Sequence, residues 1–228
     1  MAIQPQRCKR AGVSLVASAA LAAALTGCSH VPGVYTYVPA SEATASGGGN
    51  AAAFDAKAYV EKNWAEKVLP AVETDAVDAA TLLPALAADQ DAASKQYGSQ
   101  AGTGSPYAFL TRGSGTVTKV DEENPSHPLT IQLDGTTGKD GTVQVVTGPV
   151  IAGTALRDGV KFIHFSDFTN QLDYADVGTE LNTKVKTEVL AALDPKGLVG
   201  TKVDFAGAFS LVAPGSILVV PTQLEPAS

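Results

Sequence analysis

Cysteine is almost missing from this chain: there are two, Cys8 and Cys28, both near the start. A body with neither disulfide nor thiol excludes cysteine nucleophiles and cysteine-ligated zinc, and it must be held together by its core. Histidine is scarce as well, with three residues, His30, His127 and His164. No two of them share the short spacing of a metal site. His127 sits in a turn between Ser126 and Pro128, and His164 alternates with Ile163 and Phe165 as on a strand. Basic charge also runs short, with 16 Lys+Arg against 23 Asp+Glu and a net charge of −7. Phosphate backbones repel such a chain, so nucleic acid is not an expected partner. Beyond residue 27, no apolar run approaches the roughly 20 residues that a membrane-spanning helix needs. Gly113-Ser114-Gly115 lacks the spacing of a nucleophile elbow, and no phosphate loop or dinucleotide fingerprint occurs. Asp167, Asp173 and Asp176 do not have calcium-loop spacing. No metal, cofactor or catalytic residue is expected.

What the chain does have begins at its N-terminus. Arg7, Lys9 and Arg10 precede an apolar run from Ala11, which leads into Leu25-Thr26-Gly27-Cys28. A basic head, a short apolar core and small residues before a cut site are the parts of a secretory leader. Thr26 and Gly27 are small enough to enter a narrow protease cleft, and the Cys28 thiol then takes the lipid. These four residues resemble the lipobox of bacterial lipoproteins. Residues 1–27 are therefore expected to be a signal peptide, and Cys28 the site of lipidation. Each buried CH₂ contributes about 0.8 kcal/mol, so several acyl chains together anchor the protein to a membrane. The leader removes three basic residues and no acid, leaving 13 Lys+Arg against 23 Asp+Glu and a net charge of −10. The expected location is the cell envelope, on the outer side of the cytoplasmic membrane or in the periplasm. Residues 28–53 form the anchor and tether. The Ser/Ala/Gly-rich part around Gly47-Gly48-Gly49 spans on the order of 20 Å.

Residues 54–98 read as a helical subdomain. Phe54, Val60, Trp64 and Val68 fall near helical spacing, Asp55 suits an N-cap, and Pro70 should end the segment. A second helical stretch covers about Asp78 to Tyr97. Pro84 is expected to start a new helix within it, and Gly98 to stop it. Residues 99–228 change to a period of two. Strands are expected at Thr116 to Val120, Leu129 to Leu133 and Thr142 to Val146, with another possible at Lys161 to Phe165. An amphipathic helix from about Val177 to Leu193 follows. Strands at Lys202 to Phe209 and Ile217 to Thr222 close the chain. The fold class is α+β: a small N-terminal helical part, then an OB-like five-stranded β-barrel with a helix between strands three and four. Gly207 inside a strand pattern suggests a bulge.

The stretch from Gly148 to Asn182 concentrates hydrogen-bonding side chains beside Phe162, Phe165 and Phe168. Arg157, Asp158, Asp167, Asn170, Gln171 and Tyr174 are the candidate ligand or partner residues. Arg157 stands out because the mature chain has one other arginine, Arg112. Aromatic faces cover the apolar side of a sugar ring while amides and carboxylates fix its hydroxyls, so a carbohydrate is a candidate ligand. The structural alternative is that a long loop uses these groups to satisfy its own backbone, with Arg157 paired to a buried carboxylate.

GPVIAGTALRD followed by DFTNQLDYADVGTELN is similar to a family of predicted periplasmic lipoproteins of unknown function. The similarity extends from Tyr37-Val38-Pro39 through the Phe54-Asp55 helix start to the final strands. The resemblance implies a small helical part plus an OB-like α/β part. It also implies a neighbourhood with sugar ABC transporter genes, hence a sugar ABC transporter or its solute receptor as a partner. It implies no catalytic residue. The resulting expectation is a membrane-anchored, non-enzymatic accessory or binding protein. A carbohydrate-active enzyme using Asp158, Asp167 or Asp173 and an envelope structural lipoprotein are the alternatives.

Overall fold

The computed structural model describes residues 54–212 and 217–227. The leader, Cys28 and the tether lie outside them. Residues 53–228 make one compact unit.

Five strands close on themselves. β3 (Tyr107–Val120), β4 (Leu129–Leu133) and β5 (Thr142–Val145) form an antiparallel meander. β6 (Lys202–Ser210) and β7 (Leu218–Pro226) form a hairpin. β7 joins β5 in parallel, and β6 returns to β3, so the circuit is β3-β4-β5-β7-β6-β3. This is the OB topology expected from the order of elements. Two short strands, β1 (Val77–Asp78) and β2 (Ser99–Gln100), lie along the other side of the first half of β3.

β3 begins well before the expected strand at Thr116. The period-two pattern fails there because Ala108, Phe109, Leu110 and Thr111 are all buried. One face fills the barrel and the other is covered by helices, so no wet face marks the strand. At Gly115 the strand is paired on both flanks, with Val203 of β6 and Leu133 of β4. A Cβ there would lie 2.2 Å from the Gln132 carbonyl oxygen, so this position needs glycine. The bulge expected at Gly207 is present, with the register shifting between Ala206 and Gly207. The extra residue is on the partner strand: Gln223 pairs with Ala206 and Pro221 with Gly207, leaving Thr222 over.

The helical residues 54–98 share their packing with the barrel. α1 (Ala56–Asn63) is capped by Asp55, whose carboxylate accepts from the Ala58 N–H at 2.9 Å. Pro70 does not end this segment. A widened turn at Trp64–Val68, in which the Leu69 N–H reaches back to the Trp64 carbonyl, absorbs the irregularity, and α2 (Leu69–Asp75) continues. Nor does Pro84 start a helix. α3 (Ala79–Ala88) runs through it from its Asp78 cap, and the break comes at Asp89, which caps α4 (Gln90–Tyr97). Between β5 and β6 come α5 (Ala155–Gly159) and α6 (Gln171–Lys184), the latter extended by a widened turn at Val185–Leu190. α6 begins six residues before the expected helix because Asn170 caps it. Residues 161–165 are not a strand. They turn through a loop in which Ile163 is buried and His164 exposed, so the apparent alternation comes from one anchoring side chain.

Two apolar clusters result. Inside the barrel, Phe109 stacks on Phe209 at 5.0 Å, with Ile131, Val143, Val145 and Val219 around them. Leu82, Leu83 and Leu86 of α3 join this cluster, so α3 closes the barrel interior. Outside it, Val60, Trp64, Val68 and Val72 of the first helices meet Val177, Leu181 and Val185. Both lie over Leu110, Ala206, Ala208 and Val220 of the outer barrel face. Small residues at Ala206 and Ala208 let this second layer approach closely.

Candidate functional site

The six residues singled out between Gly148 and Asn182 divide into three groups. Arg157, Asp158 and Tyr174 come together. Arg157 Nε donates to Asp158 Oδ1 at 2.8 Å, and Nη2 reaches the same oxygen at 2.8 Å. Arg157 Nη1 donates to the Tyr174 carbonyl at 3.1 Å, and the guanidinium lies 3.7 Å from the Tyr174 ring centroid. The Thr154 hydroxyl donates to Asp158 Oδ2 at 2.6 Å, and the Tyr174 hydroxyl donates to Oδ1 at 3.3 Å. Every polar atom of this network is spoken for within the fold, and it ties α5 to α6. Burial pushes the Tyr174 hydroxyl above its ordinary pKa. The Arg157 charge opposes that shift, and Asp158 adds to it.

Asp167 and Asn170 serve local turns. Asp167 accepts from the His164 N–H at 3.1 Å. Asn170 accepts from the Leu172 and Asp173 N–H groups at 2.8 and 3.0 Å as the cap of α6. Gln171 is exposed and stands apart. The aromatics form a ledge. Phe168 contacts Phe54, Tyr59 and Tyr174 at 5.3, 5.6 and 5.5 Å, and Phe165 packs edge-on to Tyr174 while remaining 50% exposed. Burial, then the charge of Asp167, raises the Tyr59 pKa.

A recess apart from these residues lies between α2 and the outer barrel face. A cleft of about 600 Å³ is lined by Leu69, Val72, Glu73 and Asp78 on one side. Arg112 and Ser114 of β3, Asp204 and Ala206 of β6, and Thr222 and Gln223 of β7 complete it. The strand register explains this convergence. Arg112 pairs with Ala206 and Ser114 with Asp204, so all four face outward together. The bulge adds Thr222 beside Gln223 on the same edge. Ala206 is what leaves room, since a larger side chain on that floor would fill it.

The polar groups in the cleft are only partly committed. Arg112 Nη1 donates to the Glu73 carbonyl at 3.2 Å, and among the described residues it enters no ion pair. Asp204 Oδ1 accepts a short hydrogen bond from the Ser114 hydroxyl. Asp78 Oδ1 accepts from the Ala80 N–H at 2.8 Å. At the rim, Lys202 lies 2.8 Å from Asp134, whose hydrogen bond holds the ammonium pKa up, with a smaller push from Asp204. The arrangement offers donors of one cation and acceptors of several carboxylates across an apolar floor, which suits binding a small polar molecule.

Sequence reasoning missed this cleft because its residues come from four separated segments. One signal was present: Arg112 is one of only two arginines after the leader. Among the described residues no helix is long and apolar enough to cross a membrane.

The barrel and its helices are similar to a crystal structure of an OB-fold protein from Thermotoga maritima, with a TM-score of 0.62 and 22% identity. The match covers 76% of this chain and 99% of that one. The protein is thus an α+β protein built on an OB-like barrel. It belongs to the family described as Predicted periplasmic lipoprotein (DUF2291), whose profile matches residues 18–225, and its place is the cell envelope. Comparison with curated proteins gives no match.

Proposed function

We propose that this lipoprotein is a non-enzymatic binding protein, held at the membrane through Cys28, that takes a small hydroxylated ligand in the cleft between α2 and the barrel. The cleft carries this reading. It combines a volume of about 600 Å³ with Arg112, Asp204, Thr222 and Gln223 around a floor opened by Ala206. The Arg157 network does not compete for this role, because its hydrogen-bonding groups are already paired to each other. The mature chain is small for a two-lobed solute receptor. Its service is accessory, handing a ligand to a sugar ABC transporter or its receptor, the partners implied by the family resemblance.

Calorimetric titration of the full-length chain in detergent with a panel of monosaccharides tests this. Binding should be seen for at least one sugar and should be lost in Arg112→Ala. The melting temperature of that variant should stay within about 2 °C of wild type, as for a surface substitution. Binding that survives Arg112→Ala but disappears in Arg157→Ala would move the site to the Gly148–Asn182 stretch and refute the cleft.

A further inference from the structure

We infer that the cleft selects a hydroxylated ligand carrying a protonated amine. This inference rests on the reading that the cleft is the binding site. The lining includes the carboxylates of Glu73, Asp78 and Asp204 against the single guanidinium of Arg112, a formal balance of −2. Among the described residues the guanidinium forms no ion pair with any of them, and its hydrogen bond goes to the Glu73 backbone carbonyl. Lys202, two positions from Asp204, is drawn instead to Asp134 at 2.8 Å.

Asp204 is the residue placed to receive the amine. It is half-buried on the barrel wall, and one carboxylate oxygen is held by Ser114. The other has no hydrogen-bond partner among the described residues. Leu69, Val72 and Ala206 add apolar surface to the same cleft, while Asp204 itself keeps partial contact with solvent. Arg112 lies diagonally across the ladder from Asp204, with Ala206 beside it on β6 and Asp78 beside it on β1. Diagonal neighbours on a sheet are about 7–8 Å apart. That gap matches a molecule whose ammonium meets Asp204 while its hydroxyls meet the Arg112 N–H groups not spent on Glu73; the Thr222 hydroxyl and Gln223 amide already donate to the Ala206 carbonyl and Glu225 and offer only their acceptor capacity. A neutral polyol donates hydroxyls to the carboxylates but gains no charge pair from their excess, and an anion is repelled by it. The net charge of −7 on the whole chain steers cations in the same sense.

The probes are glucose, glucosamine, gluconate and ethanolamine, titrated into the full-length chain at low ionic strength. Glucosamine should bind at least ten-fold tighter than glucose, and gluconate weaker than both. Ethanolamine, with one hydroxyl, should bind weakly. Asp204→Asn keeps the shape and the Ser114 hydrogen bond, and should bring glucosamine and glucose to within about two-fold of each other. Glu73→Gln, on the exposed side of α2, should reduce the ratio by a smaller factor and cannot disturb the core. Raising the salt should narrow the glucosamine preference and leave glucose unaffected. Glucose bound as tightly as glucosamine, gluconate bound tightest, or a preference untouched by Asp204→Asn overturns the amine inference while leaving the cleft as a site. If none of the probes binds at millimolar concentration, the cleft reading fails and the inference with it.

Discussion

Removing the Asp158 carboxylate tests whether the most polar cluster of the loop is scaffold or site. Asp158→Ala leaves the Arg157 guanidinium inside the fold with the Tyr174 carbonyl and ring as its remaining partners. Breaking a buried ion pair from one side costs about 3–5 kcal/mol. The side chains of Arg157 and Asp158 are 10% and 13% exposed, so some water reaches the stranded charge and the lower end applies. For a body of this size, about 3 kcal/mol corresponds to a fall of about 6–12 °C in melting temperature. Thr154→Val, which loses one hydroxyl hydrogen bond to the same carboxylate, should cost about 1 kcal/mol. The assay is thermal unfolding of the full-length chain followed by circular dichroism at pH 7. A melting temperature within about 2 °C of wild type in Asp158→Ala, together with lost sugar binding, would refute the reasoning. It would mean that Arg157 and Asp158 are held ready for a ligand rather than for each other.

Leu82 is fully buried where α3 enters the barrel, so Leu82→Ala should cost about 2–5 kcal/mol, read as a lower urea midpoint. A near-neutral result would show that α3 is not needed to fill the barrel. Gly207→Ala places a Cβ 2.2 Å from the Val220 carbonyl oxygen, so the β6–β7 hairpin must move and the chain should melt earlier. An unchanged melting curve would contradict the close approach at the bulge. Tyr59 and Tyr174 have pKa values raised above the ordinary 10.0. The unfolded chain therefore loses these protons first, and stability should fall as the pH rises from about 10 through the higher folded values. Tyr174→Phe should flatten that alkaline limb in a series of melts. A limb of unchanged steepness would assign the loss to other groups.

The barrel was legible in the sequence wherever apolar and polar residues alternate. β4, β5 and the start of β6 do so, and the order of strands and helix was enough for OB topology. The first half of β3 was hidden, because Phe109, Leu110 and Thr111 are buried on both faces and alternation has nothing to report. The two prolines misled for a related reason. Proline was read as a boundary, yet a widened turn before Pro70 and the packing of Leu82, Leu83 and Leu86 around Pro84 hold the helices continuous. Asn170 and Asp167 were conspicuous because capping groups and ligand groups are the same chemistry, and sequence alone does not separate the two uses. The cleft left almost no trace. Asp204 and Arg112 are ordinary outward residues until the β3–β6 register sets them on one wall.

The double occupancy of β3 has a consequence for life in the envelope. Lipoproteins share a surface, where neighbours meet far more often than they would in free solution. The longest strand of such a protein is then its greatest liability for joining a neighbour edge to edge. Here β6 takes one flank of that strand, and β1, β2 and β4 divide the other. The two-residue strands β1 and β2, too short to stabilise much themselves, cover backbone groups on that flank that would otherwise be open to pairing.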